Sequence, residues 1–119
     1  MEPEGRPVLV VQGGPDEDKI IPLSGTVSLG RLPSSGVVVD EDGISRQHAG
    51  IRGDTEGYWI ADLGSRNGAF VNGESVGTEP RRLRNFDRIE LGGINTPVHW
   101  VFMESQATVD MPVVKPDES

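Results

Sequence analysis

Short apolar runs, each cut off by Gly, Pro, Asn or Asp, recur along most of this chain. Read at period two, they predict strands at Pro7–Gln12, Lys19–Leu23, Thr26–Leu29, Gly36–Val39 and His48–Arg52. Further strands are predicted at Gly57–Leu63, Ala69–Val71, Arg88–Leu91 and Val98–Met103. Strand starts spaced by roughly eight to twelve residues suit an all-β sandwich or barrel. No window carries a sustained helical period of apolar residues. The runs Val8–Val11 and Val37–Val39 are continuously apolar, as strands central to a sandwich would be. Gly13-Gly14-Pro15-Asp16 reads as a turn, and Asn72-Gly73 as a type I′ hairpin. Trp59, Trp100 and Phe102 are expected to anchor the core, with Tyr58 and Phe70 joining it or lining its rim.

At both ends the pattern stops. Residues 1–6 are polar and read as a flexible segment. From Glu104 to Ser119 no alternation closes a strand, and that stretch reads as a disordered tail or interdomain linker. The packed domain is therefore placed at residues 7–103.

Composition narrows this further. Hydrophobic residues make up 34% and aromatics 5%, enough for one packed core and no second. Without cysteine, no disulfide or thiolate chemistry is available. Glu2 and Glu4 stand where a signal peptide would carry Lys or Arg, and Val8–Val11 is far too short for a bilayer span. A cytoplasmic protein with no membrane contact is the expectation. The net charge of −8, from 11 basic and 19 acidic groups, speaks against nucleic acid as a partner.

The chemistry sits in three polar loops. Arg31 follows Gly30 at the end of one run, Ser45 and Arg46 precede His48 in the next gap, and Arg66 precedes Asn67-Gly68 in a third. If these loops converge, they form a local cationic pocket on an anionic body, suited to one phosphate group and unsuited to a long polyanion. A phosphothreonine carries roughly −1.5 to −2 charge and three acceptor oxygens. The planar guanidinium fork reads such a group better than an ammonium does. Ser45 supplies a hydroxyl and a backbone N–H beside the flexible Gly43, and Asn67 offers an amide donor and a carbonyl acceptor for a peptide backbone.

Ser45 and His48 also invite a serine-hydrolase reading, with Asp62 or Asp40 as third member. No G-x-S-x-G elbow accompanies them, so His48 is read as a brace for the loop. His99, beside Trp100 in the last run, is expected to be packed or exposed there, and two lone histidines make no metal site. No catalytic set, metal or cofactor is expected. Arg81, Arg82 and Arg84 read as a solvated face outside the pocket.

Gly30-Arg31, Ser45-x-x-His48 and Asn67-Gly68, in that order and spacing, resemble the signature of the forkhead-associated (FHA) domain family. Ala61 to Gly73 is similar to that family's long motif around Asn-Gly, and Asp87 to Gly92 to its later strand. The resemblance covers about Val8 to Met103 and implies an eleven-stranded β-sandwich of FHA/SMAD-like type, with two antiparallel or mixed sheets and a loop-built binding end. It also implies a bacterial signalling module that prefers phosphothreonine to phosphoserine and lies downstream of a Ser/Thr protein kinase. By motif, Arg31, Ser45 and Arg46 would contact the phosphate, Asn67 the ligand backbone, and Gly30, His48 and Gly68 would hold the loops. Arg66 stands where many members carry a hydroxyl residue and would add a phosphate or acidic-ligand contact; Ala69 stands where Thr is usual. Gly43 occupies the position where some relatives place an Arg that reads Asp at the +3 ligand position, so strong Asp selectivity is not expected. Two further readings stand beside this one. The sandwich would instead serve as a phosphate-independent assembly module, or the tail, phosphorylated at Thr108, would dock into its own or a neighbour's pocket.

Overall fold

The computed structural model describes residues 7–104 except residues 42, 55, 95 and 97. The expected segments at residues 1–6 and 105–119, with Thr108, lie outside the described residues. Among the described residues, eleven strands form two sheets. The strands are β1 Val8–Gln12, β2 Ile20–Pro22, β3 Thr26–Gly30, β4 Val37–Val38, β5 Ala49–Gly53, β6 Tyr58–Asp62, β7 Ala69–Val71, β8 Glu74–Val76, β9 Arg81–Arg82, β10 Arg88–Leu91 and β11 His99–Met103. One sheet runs β2-β1-β11-β10-β7-β8 and the other β4-β3-β5-β6-β9. The first sheet's recorded pairings are antiparallel; the second is mixed because β4 lies parallel to β3. The eleven-stranded sandwich is the fold expected, and each of the nine runs read from the sequence falls on a strand.

Two strands escaped the pattern. In β8 only Val76 is buried, and β9 consists of two arginines. Their strand conformation is set by what they pair with: Glu74 lies opposite Val71 across the Asn72-Gly73 turn, and Arg82 opposite Trp59. Both turn residues adopt positive φ, 54° and 82°, as a type I′ hairpin requires. Asn72 does more than turn the chain: it donates to the Asp87 carboxylate (2.8 Å) and accepts from the Arg88 N–H (3.0 Å).

Core packing follows strand parity. Leu9 and Val11 of β1, Leu29 of β3, Ile51 of β5, Ile60 of β6, Ile89 of β10, and Trp100 and Phe102 of β11 meet between the sheets. Tyr58 packs against them, its ring 6.1 Å from Phe102 and its hydroxyl donating to the Leu23 carbonyl. Trp59, expected in the core, is not there. Ile60 is fully buried, so period two turns Trp59 to the outer face, where it is half-buried under the Arg82 guanidinium at 5.6 Å. Arg82 also donates to the Glu56 carbonyl, and Arg81 pairs with Glu74 at 2.8 Å. These arginines therefore secure a sheet edge and are not a merely solvated face. His99 is half-buried; burial and then the Arg88 charge hold its imidazole below the usual histidine value, against the pull of Glu90.

The two aromatics should therefore differ in truncation. Phe102→Ala should cost about 3–5 kcal/mol as a core cavity, and Trp59→Ala about 1 kcal/mol as a lost surface stack. Urea unfolding with unchanged slope would measure both, and equal losses would place Trp59 in the core after all.

Candidate functional site

Three loops meet at one end of the sandwich: residues 31–36 between β3 and β4, 39–48 between β4 and β5, and 63–68 between β6 and β7. Backbone bonds lace the first two together. The Arg31 N–H donates to the Ser45 carbonyl (3.1 Å), Leu32 N–H to Arg46 (3.3 Å), His48 N–H to Leu29 (2.8 Å) and Val39 N–H to Gly30 (2.8 Å). So close an approach explains Gly30: a Cβ there would run into the Arg46 carbonyl.

His48 ties this pair to the third loop. Its side chain is fully buried; Nδ1 accepts from the Ser45 N–H (3.0 Å) and Nε2 lies 2.6 Å from the Gly68 carbonyl. The first partner is a donor and the second an acceptor, so the imidazole is the neutral tautomer carrying its proton on Nε2. The Gly68 carbonyl also accepts from the Gly92 N–H at 2.8 Å, and the Leu63 N–H donates to the His48 carbonyl at 3.0 Å. Both ring nitrogens are thus engaged by the backbone, and neither is placed to take a proton from Ser45 Oγ. The ring thus bridges the second and third loops, and among the described residues no hydrogen bond joins Ser45 Oγ to it.

Two side chains complete the lacing. Ser45 Oγ accepts from the Arg66 N–H at 3.0 Å, and Asn67 Nδ2 donates to the Gly43 carbonyl at 2.8 Å. Because Ser45 Oγ already accepts, its own proton is available to donate into the pocket. Asn67 keeps its carbonyl and a second N–H for another partner. Gly68 turns the chain beneath it at φ 89°.

Within the motif Ala61–Gly73 the sequence assigns Ser65 no role of its own, and Asp62 only that of a hydrolase partner. Asp62 closes the third loop, accepting from the Gly64 N–H (2.8 Å), the Ser65 N–H (2.6 Å) and the Ser65 hydroxyl (2.7 Å), while Ser65 Oγ accepts from the Gly68 N–H (2.9 Å). The available signal was Asp62-x-x-Ser65, an Asx-turn pattern. Burial opposes ionisation of Asp62, yet the hydrogen bonds from Ser65 and Gly64 outweigh it and hold the carboxyl below the ordinary aspartate value.

The result is an open pocket of ≈ 700 Å³ lined by Arg31, Ser45, Arg46, Arg66 and Asn67, with Leu32, Gln47 and Leu63 on its walls. The side chains of Arg31, Arg46, Arg66 and Asn67 are exposed there, and Ser45 is half-buried. Among the described residues no carboxylate lines it, and the ion pairs Arg81–Glu74 and Arg88–Glu90 lie elsewhere. Every residue singled out from the sequence as a contact thus reaches one cavity, and Gly30, His48 and Gly68 lie in the frame behind it. Three guanidinium groups converge on an otherwise acidic body, which suits a compact anion. No group of three or more His, Cys, Asp or Glu able to hold a metal occurs among the described residues.

The lowered Asp62 value has a sign. Its stabilisation is present above about pH 4, the unfolded aspartate range, and is lost as pH falls through the folded value. Asp62→Asn should lower stability at pH 7 by about 1–3 kcal/mol and flatten the acid limb of the unfolding profile. An unchanged acid limb would remove Asp62 from that role.

The model of the FHA domain family matches residues 27–92. The oxoglutarate dehydrogenase inhibitor of Corynebacterium jeikeium is 37% identical over 91 residues, which cover 76% of this chain and 62% of that protein. The glycogen accumulation regulator GarA of Mycolicibacterium smegmatis is 36% identical over 91 residues, covering 76% of this chain and 56% of its own. The chain thus matches little more than half to three fifths of the length of these bacterial relatives. A solved FHA domain from work on phosphothreonine-dependent FHA interactions superposes with a TM-score of 0.70 at 27% identity, over 82% of this chain and 95% of that one.

Proposed function

The chain belongs to the FHA-domain family, and on that premise we propose that its loop pocket recognises phosphothreonine in a partner protein marked by a Ser/Thr kinase. The observation that carries this reading is the convergence of Arg31, Ser45, Arg46, Arg66 and Asn67 on one cavity that no described carboxylate lines. Arg31 and the Ser45 hydroxyl take the phosphate oxygens, Arg46 and Arg66 supply further positive charge, and Asn67 holds the ligand backbone next to the phosphorylated residue. Gly30, His48 and Gly68 act indirectly, by fixing the loops that carry these groups. A non-catalytic adaptor of this kind works in the cytoplasm, where kinase and target meet. The regulatory names of the relatives and the phosphothreonine-dependent neighbour support the same reading.

Hydrogen bonds to charged groups contribute about 1.5–3 kcal/mol each, and association costs offset much of their sum. Micromolar affinity, near −8 kcal/mol, is the expected scale. Calorimetric titration with a degenerate phosphothreonine peptide pool should give heat, while the phosphoserine pool should give less and the unphosphorylated pool none. Arg31→Ala should weaken binding by about 10- to 150-fold, the equivalent of one such bond, with the unfolding midpoint unchanged. His48→Ala should lower both affinity and midpoint. Equal binding of phosphorylated and unphosphorylated pools, or tight binding by Arg31→Ala, would favour phosphate-independent assembly instead.

A further inference from the structure

A second cavity lies on the open side of the sandwich, where edge strand β2 of one sheet faces edge strand β4 of the other. It is a groove of ≈ 560 Å³ with Val37, Val39, Val98 and Trp100 among its lining residues. On its rims stand Ile20 and Val38, exposed by 46% and 52%, two of the five large apolar side chains most open to solvent among the described residues. Its size is that of an ordinary ligand cleft.

The strand edges add backbone groups. The Val11 N–H donates to the Lys19 carbonyl and the Leu23 N–H to Pro7, so alternation along β2 turns the N–H and C=O of Ile20 away from β1. On β4 the Val39 N–H donates to Gly30, which turns the N–H and C=O of Val38 outward in the same way. Pro22 contributes only a carbonyl, which limits any added strand to a short stretch. Among the described residues, Asp16, Asp40 and Glu41 line the groove against a single cation, Lys19. The groove continues past Val39, Glu41, Val98 and Trp100 into a smaller recess of ≈ 90 Å³ bounded by Ile44, next to Ser45.

We propose that this groove is a second binding site, for an extended peptide segment that alternates apolar side chains with lysine or arginine. The apolar side chains fill the space between the two sheets, and the edge N–H and C=O groups pair with the added backbone. The excess of carboxylates selects cationic flanks. The preference is opposite in sign to that of the arginine pocket, so the two sites take different ligands and do not compete for one.

The test uses the whole chain, ¹⁵N-labelled, titrated with a synthetic ten-residue peptide of alternating lysine and valine. Alternating glutamate–valine and lysine–serine peptides serve as controls. The lysine–valine peptide should shift the amides of Ile20 and Val38 and the Trp100 indole, leaving Arg31 and Arg46 unmoved, and the controls should not. Val38→Lys, at an exposed position, should fold normally and weaken that peptide by about tenfold or more. Its affinity for the phosphothreonine pool should stay the same. Asp40→Asn with Glu41→Gln should weaken the peptide and flatten its salt dependence. Equal binding of the glutamate–valine or lysine–serine peptide, shifts mapped away from the groove, or indifference to Val38→Lys would each overturn the proposal. Concentration-dependent shifts at these amides without peptide, with a dimer in sedimentation, would assign the groove to a second copy and overturn it as well.

Discussion

The buried imidazole of His48 is the group on which the binding end depends. One ring nitrogen receives the Ser45 N–H and the other meets the Gly68 carbonyl, so a single planar side chain sets the distance between two loops that are twenty residues apart in the chain. Hydrogen bonds carry that placement outward, to Arg31 through the Ser45 carbonyl and to Arg66 through Ser45 Oγ. The Asp62–Ser65 staple prevents the third loop from giving way on its side. Positioning is thus done by the buried His48 and Asp62 side chains, and the arginines are left to face solvent. The division is physically sensible: a guanidinium used for its own loop's architecture would have fewer donors left for a ligand.

Arginines elsewhere in the molecule show the contrast. Arg82 lies over Trp59 and donates to the Glu56 carbonyl, Arg81 is paired with Glu74, and Arg88 meets Glu90 at 3.4 Å. The charges of Arg81 and Arg82 go to holding the β9 edge, and that of Arg88 to a carboxylate two residues on along the internal strand β10. Arg31, Arg46 and Arg66 are the same residue type, yet they line a cavity where the described residues include no carboxylate. Counting basic residues along the sequence does not separate the two groups; the identity of each neighbour across the sheet does.

That distinction also explains what could be read in advance. Strands that bury an alternating face announce themselves, which is why all nine apolar runs were legible. β8 and β9 were not, because a Glu-Ser-Val stretch and an Arg-Arg pair bury little and take their conformation from β7 and β6. Trp59 was misplaced for a related reason. In the run Tyr58-Trp59-Ile60 every residue is apolar, so the sequence does not reveal which parity faces inward until the pairing of Ile51 with Ile60 is known. The FHA motif residues were legible because they are polar groups where a hydrophobic pattern breaks. Ser65 was invisible because a serine beside a glycine is ordinary loop composition until its acceptor, the Asp62 carboxylate, is seen.

The two ends of the β3–β4 connection show how one segment serves two different surfaces. Gly30 lets the chain pass close under Arg46 and sends Arg31 into the cationic pocket. Eight residues later Val38 leaves the same connection with its side chain exposed and its outward backbone groups on an open edge. β4 is only two residues long and parallel to its neighbour, an arrangement that stabilises the sheet less per residue than a long antiparallel edge would. A short edge strand resists indiscriminate pairing with other chains. It lies beside an apolar groove rimmed by Asp40 and Glu41, so a segment pairing there would have to satisfy both the apolar floor and the acids. The shortness that protects the edge is also what would make recognition at it selective.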